Sequence, residues 1–235
     1  AMKLLDSFSF QNQRFLIRVD YNVPMDSDLN ITDDTRMRAT LPTINKIISS
    51  GGSVVLMSHR GRPKGLDDSL SMRHLVSRLS DLLSQEVKFI DHCVGDKVTK
   101  TSKSLKSGEV LLVENLRFHD EETAGDIDFA KQLSELGDVY VNDAFGTAHR
   151  AHASTAIIAQ FFKKNKCFGY VMANEIENIN KVVGGAKKPF TAIIGGAKVS
   201  SKITIILRMV EEVGNLIIGG GMTYTFVKAM GGEVG

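Results

Sequence analysis

The six residues Ser58-His59-Arg60-Gly61-Arg62-Pro63 place an imidazole and two guanidinium groups within four positions, directly after the apolar run SVVLM. Gly61 lets the backbone bend between the two arginines. A guanidinium is planar and always charged, and its fork of donors matches carboxylate and phosphate. The same arrangement recurs along the chain. Arg18, Asp20, Tyr21 and Asn22 follow the run FLI; Arg117 follows VLLVE; His149, Arg150 and His152 follow VYVN; Arg36 opens the next helix-like stretch. Any one of these arginines alone reads as part of a solvated face. Four apolar runs each followed by arginine point instead to one receptor for a small polyanion, with Asp20 and Asn22 placed for substrate hydroxyls.

A second signal lies in FTAIIGGAKVSSKI, read as a strand, a Gly195-Gly196 turn and a helix whose first turns carry Lys198 and Lys202 one helical step apart. Backbone amides at a helix start with two ammonium groups on one face suit a nucleotide phosphate. A glycine-assisted turn with two solvated lysines fits the same string. It lacks the spacing of a Walker A loop. Gly219 and Gly220, after another apolar run, favour an edge where a ligand approaches the backbone.

Other chemistries are less well supplied. His149 and His152 share a spacing, but a zinc site needs further ligands. Cys93 reads as a packed thiol with no His–acid pair assigned to it. The acidic pairs Asp33-Asp34 and Glu121-Glu122 read as helix-entry and loop charges. A formal net charge of +2 over 235 residues leaves no basic excess for nucleic acid, and aromatics are not interleaved with the basic residues. The two cysteines are far apart, which suits a reducing compartment, and cytoplasm is expected. No apolar run is long enough to span a bilayer.

The elements that must position these residues alternate. Short apolar runs at 15–19, 54–58, 87–90, 110–114, 139–142, 190–194 and 216–220 are separated by stretches with apolar residues three and four apart, as in 72–85, 128–137 and 199–214. This pattern predicts an α/β fold, a parallel doubly wound, Rossmann-like sheet in three layers. In such a sheet all strands end at one edge, so the residues leaving them become neighbours. Pro42 predicts a kink or a fresh helix start within 35–50. The expected organisation is a first lobe over 1–171, a connector helix over 172–188 and the start of a second lobe over 189–235.

The strings RVDYNVP, SHRGRPKG, LLVENLRFHDEE, VYVNDAFGTAHRAHAST, IIGGAKVSSKI and IIGGGMTYTF, in this order, resemble the phosphoglycerate kinases from Leu4 to the end of the chain. The resemblance implies a two-lobed kinase, expected to be monomeric, that moves a phosphoryl group between 1,3-bisphosphoglycerate and ADP, giving 3-phosphoglycerate and ATP. It puts Asp20 and Asn22 on the substrate, with Tyr21 and Gly61 in the same strings. Arg18, His59, Arg62, Arg117 and Arg150 would surround the 3-phosphate and carboxyl end, and Arg36 would meet the transferring phosphoryl group. Lys198, Lys202, Gly195, Gly196, Gly219 and Gly220 would line the nucleotide site. Magnesium would arrive with ATP or ADP, with no metal ligand expected in this sequence. The family's chain runs beyond the position of Gly235, so the resemblance implies a complete substrate lobe and an incomplete nucleotide lobe. A polypeptide of these 235 residues is then expected to bind phosphoglycerate and turn over poorly. The alternative is a noncatalytic module binding phosphoglycerate or a similar polyanion. Arg60 stands where the family string has leucine, and whether it touches substrate is open.

Overall fold

The computed structural model describes residues 3–148, 150–184, 191–194 and 215–218, with side chains as far as residue 179. The chain divides into two compact units, 1–173 and 174–235. The first unit contains a seven-stranded sheet of β1 (Lys3–Leu4), β2 (Arg14–Arg18), β3 (Ser53–Met57), β4 (Val87–Ile90), β5 (Val110–Val113), β6 (Val139–Asn142) and β7 (Lys166–Phe168). Every pairing is parallel, and the spatial order is β1-β7-β6-β2-β3-β5-β4.

The three-layer arrangement follows from the side-chain alternation of the strands. Phe15, Ile17, Val54, Leu56, Val110, Leu112, Val139 and Val141 pack on one face with Ile44 and Ile47 of α2 (Leu41–Ser49) and Leu79 and Leu83 of α3 (Val76–Leu83). Leu16, Val55, Met57, Leu111, Val113 and Tyr140 pack on the other. They meet Val98 of α4 (Asp96–Lys103) and, past the short α5 (Asp120–Ala124), Phe129, Ala130 and Leu133 of α6 (Ile127–Ser134). Central strands therefore need apolar residues at consecutive positions, as the sequence shows. Gly137 sets how closely the turn before β6 approaches β2, since a Cβ there would lie 2.7 Å from that of Leu16.

Pro42 lies in the first turn of α2, after the shorter α1 (Thr35–Ala39), where its missing amide costs no helical bond. The expected helix over 72–85 begins as a 3-10 turn, Met72–Leu75, before α3. Strands β1 and β7 were not expected; two and three residues are too few to show alternation, and pairing alone identifies them. The expected connector begins two residues early, as α7 (Tyr170–Gly184), and the two units divide within it. In the second unit β8 (Thr191–Ile194) pairs in parallel with β9 (Asn215–Ile218).

The order of the sheet locates its crevice. From β2 the chain moves outward to β3, and later it returns past β2 to place β6 on the opposite side, so loops leaving β2 and β6 diverge at the carboxyl edge. Arg18 stands at that point, in register with Met57 of β3 and Asn142 of β6.

Candidate active site

Beyond β2 the strand-like alternation persists. Val19, Tyr21 and Val23 continue the buried row begun by Phe15 and Ile17, so Asp20 and Asn22 face outward. Tyr21, expected at the substrate, is therefore a core residue. Its side chain is fully buried, burial raises its phenol, and its hydroxyl shares a 2.7 Å hydrogen bond with that of Thr40. Asn22 accepts from the Gly61 amide through Oδ1 (2.9 Å), which fastens the turn after β3 to the exit of β2. Gly61 takes φ +65°, a conformation glycine adopts without strain. Arg36 donates to the Asn22 carbonyl (2.9 Å) and faces Asp20 Oδ1 at 3.4 Å, with its side chain 54% exposed at the rim. Gly146, after β6, approaches so closely that a Cβ there would lie 3.2 Å from Asp20 Oδ2.

Arg18, expected around the substrate's charged groups, is fully buried at the end of β2. Its Nε donates to Ser154 Oγ (2.9 Å), its Nη1 to the Val19 carbonyl, and its Nη2 to His59 Nδ1 (2.9 Å). Glu122 Oε2 stands 3.9 Å from Nη2 and accepts from Ser154 Oγ (2.6 Å), while Oε1 accepts from the Ser154 amide (2.8 Å). Glu122 is also fully buried, so the reading of Glu121-Glu122 as loop charges is corrected at its second member. A charge inside an apolar strand is tolerated only with a partner. Burial lowers the Arg18 pKa, and the Glu122 carboxylate opposes the shift.

The remaining strand exits meet around this pair. Burial, then the charges of Arg18 and Arg117, with His152 and Arg150 behind them, hold the His59 imidazole down to about 2. Arg117 is lowered by burial first and then by Arg18 and Arg150, with a smaller share from Arg62. Arg18, Arg150 and Arg62 thus all lie within electrostatic reach of Arg117. Arg62 is exposed, Arg150 half-buried, and Arg117 donates to the Gly61 carbonyl (3.3 Å). His152, absent from the expected site residues, belongs to the cluster and is buried with Nδ1 unpartnered; Arg117 Nε is likewise buried and unpartnered.

Asn115 organises two of these turns. Fully buried after β5, it donates to the carbonyls of Arg60 (2.8 Å) and Leu70 (3.0 Å), and accepts from the amides of Arg60 (3.2 Å) and Arg117 (3.0 Å). Glu114 beside it accepts from Ser71 Oγ (2.7 Å) and the Met72 amide (2.8 Å). The loop carrying Arg62 is thus tied at both ends to the exit that carries Arg117.

Asp143, leaving β6, links the site to α7. Its amide donates to the Arg18 carbonyl (2.9 Å), and its Oδ1 accepts from the amides of Val171 (2.9 Å) and Met172 (3.2 Å) in the first turn of α7. Oδ2 is buried without a partner. Burial lifts this carboxyl to about 6, against the opposing pull of the nearby Thr43 hydroxyl and of the Met172 and Val171 amides. Between about pH 4 and about 6 the folded state then holds a proton that the unfolded chain has released, so stability falls as pH rises through that window. The loss amounts to about 3 kcal/mol, from a lift of roughly two pH units. Asp143→Asn keeps an acceptor for both amides but cannot ionise. Unfolding free energies from urea titrations should fall from pH 4 to pH 7 by about this amount more in the parent than in the variant. Parallel pH profiles would contradict the assignment.

A family model described as phosphoglycerate kinase matches residues 5–235. The chain belongs to the phosphoglycerate kinase family. A phosphoglycerate kinase of Porphyromonas gingivalis is 46% identical over 98% of this chain and 61% of its own length. One from an Anaeromyxobacter species is 49% identical over 100% of this chain and 60% of its own. Among solved structures, phosphoglycerate kinase from Coxiella burnetii superposes with a TM-score of 0.80 at 36% identity, over all of this chain and 59% of that one. That from Pyrococcus horikoshii gives 0.81 at 36%, with the same coverage. The chain thus spans about 60% of the length of the curated relatives it matches.

Arg60, whose contact with substrate was left open, turns into its own loop. It is 6% exposed and donates to the Ser69 carbonyl (2.6 Å). Lys198, Lys202, Gly195, Gly196, Gly219 and Gly220 lie outside the described residues, as do His149 and the expected helix over 199–214. Strands β8 and β9 end immediately before Gly195 and Gly219. Among the described residues no helix is long and apolar enough to cross a membrane.

Proposed function

We propose that the carboxyl edge of the first unit's sheet receives 3-phosphoglycerate or 1,3-bisphosphoglycerate, as the substrate half of reversible phosphoryl transfer with ATP or ADP. The supporting observation is the meeting of Arg62, Arg117, Arg150 and His59 at that edge, with Arg36 at its rim over Asp20. The substrate carries roughly three negative charges near neutral pH, from a phosphate and a carboxylate. Forked donors suit both groups. Asp20 and Asn22, facing outward, are placed for its hydroxyl.

The chemistry asks for no general base. In the direction that consumes ATP the nucleophile is the substrate's carboxylate, already ionised. His59, held near 2, correspondingly offers a neutral N–H and no proton exchange at physiological pH. What remains is positioning and neutralisation of the moving charge, assigned here to Arg36 with Lys198 and Lys202. Magnesium is expected with the nucleotide; among the described residues no group of three or more His, Cys, Asp or Glu could hold it.

The test is to titrate 3-phosphoglycerate and ADP separately. Arg117→Ala should weaken 3-phosphoglycerate about 10–100-fold, the value of one or two charge-assisted hydrogen bonds, and leave ADP unchanged. Equal affinity for 3-phosphoglycerate in parent and variant would refute the site. A polypeptide of these 235 residues should bind 3-phosphoglycerate and show little turnover in a coupled assay. Full kinase activity from it would overturn that expectation.

A further inference from the structure

Two groups that the substrate reading does not use, Glu122 and the guanidinium of Arg18, are both fully buried directly behind His59. Arginine has no acceptor, so the 2.9 Å contact between Arg18 Nη2 and His59 Nδ1 is a hydrogen bond only if Nδ1 carries a lone pair. A proton on Nδ1, in either the other tautomer or the imidazolium, would set two donors against each other at that distance. Arg18 cannot turn away. Ser154 Oγ holds its Nε, the Val19 carbonyl takes Nη1, and Glu122, itself fixed by two bonds from Ser154, supplies the countercharge.

We infer that Glu122 and Arg18 are positioning residues that together hold His59 as a neutral imidazole with its proton on Nε2, giving the pocket one fixed, uncharged donor among its guanidinium groups. The charged groups facing His59 from the other exits act in the same direction: Arg117 after β5 and Arg150 after β6 both disfavour a positive ring, while His152, its own pKa lowered by burial, adds no acceptor for one. A neutral donor contributes direction where a fourth or fifth cation would add mainly repulsion in the ligand-free protein. The inference rests on the proposed substrate reading for its purpose, though not for the state of the ring.

The experiment reads ring and ligand separately. Nitrogen-15 NMR of the histidine rings, without ligand, should show His59 neutral, with Nε2 protonated and Nδ1 bare, from about pH 5 to about pH 9. Arg18→Met alone strands Glu122 and is prone to misfold, so the informative variant is Arg18→Met/Glu122→Gln, which removes both charges together. In it the Nδ1–H form should become populated, and 3-phosphoglycerate affinity should fall about tenfold while Arg117 and Arg150 are untouched. A protonated Nδ1 in the parent overturns the inference, and so do parent-like ring signals in the double variant. Altered ring signals with unchanged 3-phosphoglycerate affinity overturn the positioning role. A parent whose ring behaves as described but which ignores 3-phosphoglycerate at millimolar concentration counts against the substrate reading alone.

Discussion

Replacing Glu122 with alanine is expected to destabilise the first unit by about 3–5 kcal/mol, the usual cost of leaving a buried charge without its partner. Arg18 is fully enclosed, and its nearest carboxylate is Glu122 Oε2 at 3.9 Å. Losing the carboxylate also strips Ser154 of two hydrogen bonds, at 2.6 and 2.8 Å. For a unit of this size the thermal midpoint should drop by on the order of 10 °C. The origin of the loss can be separated from simple cavity formation. Arg18→Met/Glu122→Gln, which leaves no unpaired charge, should recover much of the stability that Glu122→Ala forfeits, because well-packed neutral groups often replace buried ion pairs at little cost. A loss below about 1 kcal/mol for Glu122→Ala would mean that water reaches the guanidinium and that the pair is not a closed one.

Gly169→Ala is the second large effect, expected near 3 kcal/mol. A Cβ at this position, between β7 and α7, would lie 2.3 Å from Asp143 Cγ and Oδ1. The carboxylate cannot step aside freely because Oδ1 accepts from the amides of Val171 and Met172. The variant must either overpack, at about 1–3 kcal/mol, or surrender hydrogen bonds worth about 0.5–1.5 kcal/mol each. Asp143→Ala removes the obstruction. In a double-mutant cycle the Gly169→Ala cost should therefore shrink when Asp143 is already alanine, with a coupling of 1 kcal/mol or more. Additive urea midpoints would show that the backbone absorbs the methyl group elsewhere.

These two results bear on how the site is held. Glu122 supports Arg18 from behind, and Asp143 ties the exit of β6 to the start of α7 through backbone amides. Asn115 fastens the Arg62 loop to the Arg117 turn. The exposed or half-exposed arginines thus stand on a layer of buried polar groups with defined partners. This layer restricts their freedom, which under the proposed reading lowers the entropy cost of binding an anion.

The amino-acid sequence by itself determined that the first unit is a parallel α/β layer and that several of its basic residues leave strands at the carboxyl edge, because both follow from local patterns. Apolar runs at consecutive positions specify strands covered on two faces, and basic residues directly after several such runs must then share an edge. Asp20, Asn22, His59, Arg62, Arg117 and Arg150 were legible on that ground. The alternation that buries Tyr21 was present in VDYNV as well, where Val19, Tyr21 and Val23 take one side and Asp20 and Asn22 the other. Arg18 within FLIRV read as one more basic residue at a strand exit, and nothing in the string announced its burial or its partner. The bond from Arg18 to Ser154 spans 136 residues of chain, and Glu122 sits in a string of acids of which its neighbour Glu121 is exposed. Only the tertiary structure decided that Glu122 turns inward, that Arg60 serves its own loop, that Asp143 caps a distant helix, and that β1 and β7 complete the sheet. Each depends on which remote segment arrives to solvate or pair a polar group, and spacing along the chain carries no record of that.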